Sequence, residues 1–402
     1  LTVTDDATIL GALAVTGDYS STTAGTSNLR LGVNAGNSID SNGNQNVVVG
    51  DEAGTALTSG DNNVAIGFES LKTEDAHGFN TAVGYRSLKI LNAGADGFNV
   101  AVGADAGLSM TLGIQNTLVG NKAGDALTHA DFNTAIGRSS LTSDTQGSKS
   151  VAVGAIALGT QNFTTATDSF NTAVGYNAAA LLTTGTSNTL IGGVSGDALT
   201  DADFNVAIGT VALSADTLGS RSVAVGYGTL QTQNFTTATD TYNVAVGFNA
   251  GAAVTTGVQN TIIGGLAGDA LTSGRDNVSI GYASLSSDTL GKKSTAIGHA
   301  ALQNQNFTTD SDSHNTAVGH SAGASVTTGT LNTLMGSRAG DALLTGEQNT
   351  VYGFQALSTD RAGNHSTAIG HNALVSQDFS TSSDSNNTAV GHDAGAGVTT
   401  GI

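Results

Sequence analysis

A five-residue core, Asn-Thr/Val-Ala-Val/Ile-Gly, recurs 21 times between Asn28 and Gly391. A repeat of that length admits few folds other than a solenoid or an array. The core glycines fall at Gly32, Gly50, Gly67, Gly84, Gly103, Gly120, Gly137, Gly154 and Gly175, and continue to Gly391. The usual step is 17 residues, and every fourth step is longer, 19 once and then 21 four times. Four coils therefore make a 72-residue super-repeat starting at Asn99, Asn171, Asn243 and Asn315, after a 71-residue copy from Asn28.

Counting each coil from its Asn as position 1, position 2 is β-branched in all but the first copy, position 4 is large and apolar, and position 5 is always Gly. A short β-branched run bounded by Gly reads as a strand. A Gly and several β-branched residues every 17 positions would weaken any helix. Stacking the coils sets each strand beside its copy, parallel and about 4.8 Å away, which gives an axis of roughly 100 Å. Position 1 is Asn except at Ser150, Ser222, Ser294 and Ser366, so an Asn ladder along the axis is expected. The position-5 Gly suits a corner with positive φ or close backbone approach. An aliphatic plug of the interior comes by two routes: Gly at position 9 with an aliphatic at 12 (Gly124, Leu127), or Leu at position 9 itself (Leu141, Leu158).

Strand parity puts positions 2 and 4 on one face and 1, 3 and 5 on the other. With positions 2 and 4 taken to face the core, the apolar position 3 would need cover from outside. It is mostly Ala, but large at Val48, Leu118, Leu190, Ile262 and Leu334. A strand apolar on both faces is buried on both, so a neighbouring chain is expected there, with Leu118, Leu190, Ile262 and Leu334 at the contact.

Composition narrows the function. Lys and Arg number 13 against 32 Asp and Glu, a net charge of −19 that disfavours nucleic acid. There is no Cys, hence no disulfide and no cysteine chemistry. Apolar runs are too short to span a membrane, so no membrane insertion is expected. The chain opens without Met and closes partway through a coil, which reads as a piece of a longer protein. No phosphate loop, zinc-protease motif or nucleophile elbow occurs, so no enzyme, cofactor or metal site is expected. Asp201 with Asp203 and Asp310 with Asp312 could pair as glycosidase carboxylates or calcium ligands, but all sit in polar turns and no Trp is present to stack a sugar. His299, His320, His371 and His392 follow the position-5 Gly, where Tyr85, Tyr176, Phe248 and Tyr282 stand in other coils, and are read as flat side chains covering a corner.

Asn-Thr-Ala-Val-Gly-Tyr-Asn-Ala, at Asn171 to Ala178, resembles the head repeats of trimeric autotransporter adhesins. The 17-residue variant, with Thr-Thr-Gly before the next Asn, looks more like repeats of bacteriophage tail fibres, and the opening Leu1 to Gly17 is similar to the β-rich connectors that precede them. The resemblance implies an all-β, left-handed parallel β-roll in a homotrimer, with residues 1–27 as connector and the roll from 28 to 402. Its super-repeats would run 28–98, 99–170, 171–242, 243–314 and 315–386, with a partial one after them. It further implies an extracellular structural segment of a virion tail fibre that holds a receptor-binding tip for host attachment. The alternative is the head of a bacterial surface adhesin that binds host or matrix directly. The coil is longer than the adhesin unit, so no binding residues carry over. The insertions of the long coils, at 161–168, 233–240, 305–312 and 377–384, are expected to be outward loops whose removal preserves folding. Asn162, Thr164, Asn234, Thr236, Asn306, Thr308 and Asp378 are the candidate contacts to a host receptor or glycan. Phe163, Phe235, Phe307 and Phe379 are expected to tuck beneath them.

Overall fold

The computed structural model describes residues 24–401 as one parallel β-solenoid. Among the described residues there is no helix, and hence none long and apolar enough to cross a membrane. Each Asn-Thr/Val-Ala-Val/Ile-Gly core gives one three-residue strand, from Leu29–Leu31 to Thr388–Val390, and together they form a 21-stranded sheet. Every pairing is parallel and in register: Ala173 lies between Ala152 and Leu190, and Leu190 between Ala173 and Ala207. The connector expected at 1–27 falls almost wholly outside the described residues.

The interior is the reverse of the face expected from parity. Position 3 points inward, and Ala65, Leu118, Leu190, Ile262 and Leu334 are fully buried by their own chain. Positions 2 and 4 point outward: Ile66, Ile136, Ile208 and Ile263 are each more than a third exposed. Leu118, Leu190, Ile262 and Leu334 are thus core residues of a single chain and not chain–chain contacts. The physical reason is the width of the coil. So narrow a lumen takes Ala, Gly and one or two large aliphatic side chains per turn, as Leu118 with Leu127, and a β-branched row on both sides would overfill it.

The large position-3 residues fit because neighbouring coils make room. A Cβ on Gly124 would lie 2.9 Å from Leu118 Cδ2, and one on Gly107, in the preceding coil, 2.9 Å from Leu118 Cδ1. Where position 3 is Ala, as at Ala135 and Ala152, the lumen is filled by Leu141 and Leu158 at position 9, both fully buried. Position 9 is Gly in each coil that carries Leu118, Leu190, Ile262 or Leu334 at position 3, whereas Val351 and Leu357 are buried together in a single coil.

Corners are made by left-handed backbone. The position-5 glycines have φ near 126–142°, a region in which Cβ-bearing residues are strained. The residue before each position-1 Asn or Ser and the one at position 7 also have positive φ, even where they are Phe132, Lys149, Arg221 or Val194. Position-1 Asn, buried, locks the stack. Asn63 N donates to Asn46 Oδ1 at 2.9 Å, and Asn46 Nδ2 donates to Gly60 O at 2.8 Å at the far end of its own coil. The ladder runs chiefly from side chain to backbone, with occasional amide–amide bonds such as Asn116 Nδ2 to Asn99 Oδ1 at 3.2 Å.

Gly192 and Gly193 offer a test within one dipeptide. A Cβ on Gly192 (φ 139°) would sit 2.4 Å from Gly209 O, whereas one on Gly193 meets nothing within 4 Å. Gly192→Ala should destabilise its coils by at least about 1–3 kcal/mol, and Gly193→Ala should change little. Hydrogen exchange of the flanking strands measures both.

Candidate functional site

Two surfaces repeat along the solenoid, the outward sheet face and the side bearing the long coils. On the face, positions 2 and 4 carry Val, Ile, Leu, Thr, Met or Tyr in all 21 strands and no charged residue. It is flanked by exposed aromatic side chains, Phe132, Phe170, Phe204 and Tyr242 before the strand and Phe68, Tyr176, Tyr227 and Phe248 after it. Rings stack at the coil spacing, with centroids 5.6 Å apart for Phe68–Tyr85 and 5.5 Å for Tyr227–Phe248. Arg221 lies over Phe204 and Tyr242, with its guanidinium carbon 4.9 and 5.9 Å from the ring centres, and Arg221 Nε is 2.9 Å from Asp240 Oδ1.

The long coils are rooted in the interior by a buried polar network that the sequence reading missed. In the coils around residue 233, Gln233 Nε2 donates to Asp216 Oδ2 at 2.6 Å and to Ser222 Oγ at 2.8 Å. Gln233 Oε1 accepts from Asn243 Nδ2 at 2.9 Å, and Asp216 Oδ1 accepts from the backbone N–H of Gly219 and Phe235. Serine replaces Asn at position 1 of this coil so that the glutamine can reach in and pass the ladder from Ser222 to Asn243. The same constellation recurs at Asp144/Gln161/Ser150/Asn171, Asp288/Gln305/Ser294/Asn315 and Asp360/Gln377/Ser366/Asn387. An Asp and a Gln 17 residues apart, present in each long-coil block, was the available signal. Burial pushes the Asp288 carboxyl up, against the hydrogen bonds from Gln305, Phe307 and Gly291.

Above this root the insertion pairs with the preceding coil, Thr239–Asp240 alongside Gly219–Ser220 and likewise at the other three sites. Phe163, Phe235, Phe307 and Phe379 are buried beneath it, as expected. Asn162, Thr164, Asn234, Thr236 and Thr308 are exposed, and Asn306 and Asp378 are half-buried. Asn162, Asn234 and Asn306 accept hydrogen bonds from Thr145, Thr217 and Thr289 of the coil before. Asp378 pairs bidentately with Arg361 at 2.9 and 3.0 Å, which holds its carboxyl below the usual range. Deleting the insertions would remove Gln161 and its counterparts and leave buried carboxylates without those donors, so the loops are structural at the root and free only at the tip.

The acidic pairs considered for catalysis or calcium tie coils together. Asp201 accepts from Thr184 Oγ1 at 2.8 Å and Asp203 from Thr186 N at 2.6 Å, while Asp310 meets Lys292 and Asp312 meets Lys293. A further cluster, Glu74, Asp75 and His77, stands where the later blocks carry the buried Asp, and Glu74 is fully buried. Both Glu74 oxygens are engaged, by His77 N at 3.3 Å and Ala93 N at 3.1 Å. The counterpart of Gln161 here is Leu91, so no side-chain amide reaches in. Compared with protein-family models, curated proteins and solved structures, the chain finds no match.

Two measurements follow from the buried groups. Gln233→Leu should cost about 1–3 kcal/mol by leaving Asp216 and Asn243 short of a partner, read as lost exchange protection around residues 216–243. Burial raises the Glu74 pKa despite the backbone N–H groups that lower it. The native state therefore holds the Glu74 proton to higher pH than the unfolded chain does. This carboxyl's contribution to stability falls as pH rises from its unfolded value through its raised folded one. Glu74→Gln should remove that pH dependence, and an unchanged stability–pH profile would contradict the assignment.

Proposed function

We propose that this chain is a structural fibre segment of a phage tail fibre, one strand of a homotrimer that extends a receptor-binding tip for host attachment. The single observation that carries the reading is the outward face, without a charged residue over 21 strands, apolar at every position 4 and Val, Leu or Thr at position 2, in a chain of net charge −19. At about 4.8 Å per coil and roughly 10 Å wide it amounts to on the order of 1,000 Å². Monomeric proteins rarely expose more than a few hundred Å² of contiguous apolar surface, and an area of this size matches a stable protein–protein interface. Three copies of one straight face, packed about a common axis, cover one another along their whole length. The rigid in-register stack supports a spacer role, and the exposed loop tips, Thr164, Thr236 and Thr308 among them, are the places for contacts to a cell-surface receptor or glycan. The exposed aromatic columns favour the second reading, a bacterial surface adhesin that binds through its own flank.

Light scattering on the purified chain should give three times the chain mass. Ile136→Asp with Ile208→Asp and Ile263→Asp should reduce it to the single-chain mass with strand content retained, because these side chains are outward. Leu190→Asp should instead unfold its coils, since Leu190 is interior. A single-chain mass for the unaltered protein, or a triple variant that keeps the assembled mass, would overturn the trimer.

A further inference from the structure

The residue after the position-5 Gly forms a column along one corner, and near residue 390 that column changes chemistry. His371 and His392 stack with centroids 4.9 Å apart and planes 7° from parallel, and Phe354 lies under His371 at 5.4 Å. Asp393 adjoins, with Oδ2 3.0 Å from His392 Nδ1. Its other oxygen, Oδ1, accepts from Asn372 Nδ2 at 3.0 Å. One ligand atom from each of His371, His392 and Asp393 lies within 4.8 Å of the others, and all three residues are exposed.

We infer that His371, His392 and Asp393 form a binding site for a borderline divalent cation of the Zn²⁺, Ni²⁺ or Cu²⁺ type. Two imidazoles and one carboxylate are the donor set such ions take, at about 2.0–2.2 Å from the metal, with a fourth position left to water. Exposed side chains reach those distances by rotation about χ1 and χ2, with no movement of the coils. The Asn372 amide orients the carboxylate from outside the ligand set, as metal-bound carboxylates are commonly held. Phe354 covers one face of the His371 ring.

Other blocks supply the comparison. At the same place Tyr227 stacks on Phe248, so ring stacking by itself has no need of imidazole. His299 and His320 also stack, 5.0 Å apart, but Ala300 and Ser321 follow them, and no carboxylate joins the pair. Among the described residues, only the histidine pair at 371 and 392 adds the third ligand. The site joins two successive coils, so the bound ion would staple one turn to the next. It lies on a corner, beside and not on the face assigned to chain packing, and does not depend on that assignment.

Titration of the untagged chain with Zn²⁺ alone, by calorimetry, tests the site. The expected result is one ion per chain at micromolar concentration. His392→Phe keeps a flat ring in the column, as at Phe248, and should abolish binding. Asp393→Asn should weaken it about tenfold or more, and His320→Phe should leave it unchanged. Zn²⁺ should also slow hydrogen exchange in strands Thr367–Ile369 and Thr388–Val390 of the unaltered chain but not of His392→Phe. No binding at micromolar Zn²⁺, or equal binding by His392→Phe, would overturn the proposal.

Discussion

Successive coils meet backbone against backbone at the position-5 glycine, where a Cβ would stand 2.2–2.7 Å from the next coil's Gly carbonyl along nearly the whole stack. That contact sets the register for everything else. With the glycines seated, the strands pair residue for residue, the Asn side chains reach the next backbone N–H, and lumen side chains from adjacent coils interlock. The cost of so tight a corner lies in left-handed residues that are not glycine. Phe204, Arg221 and Tyr242, all before a strand, have φ of 58°, 63° and 52°, a conformation costing L-residues roughly 1–2 kcal/mol each. Stacking, cation–π contact and ion pairs along the same columns offset part of it.

Much of this was legible in the chain's own repeats. Coil number, strand position, parallel register and the glycine corner all follow from an alignment of the sequence with itself. The direction of the side chains did not follow, because the usual guide, larger apolar residues inside, fails in so narrow a lumen. There the buried row is Ala with occasional Leu, and the β-branched row is outside. The correcting signal was the pair of glycines, Gly107 and Gly124, that leave room for Leu118 inside. Nothing at Lys149 or Phe132 announces a positive φ, since that geometry is imposed by coil closure and not by the residue.

The long coils were legible as insertions but not as anchors. A polar loop suggests solvent, yet Gln161 and Phe163 turn inward and the tip beyond them, residues 164–166, is exposed. Isolated, the Asp144 carboxylate would be expensive to bury. It is tolerated because Gln161 and the backbone N–H groups of Gly147 and Phe163 all point at it. The loop and the serine that replaces Asn at position 1 are one feature, seen twice in the sequence.

Most of the position-1 Asn amides act first within their own coil, Nδ2 to the carbonyl 14 residues on, and then present Oδ1 to the backbone of the coil that follows, as Asn46 does. Hydrogen-bonded partners are thus separated by about one turn of chain and no more. Contacts so local favour fast ordering, and a finished coil offers the next one a template with its acceptor already in place. Such a chain can grow like a crystal along one axis, each turn laid on the last, as quickly as it is synthesised from its amino end. Lengthening it by one block adds about 19 Å of fibre at the 4.8 Å coil spacing and leaves the pathway unchanged.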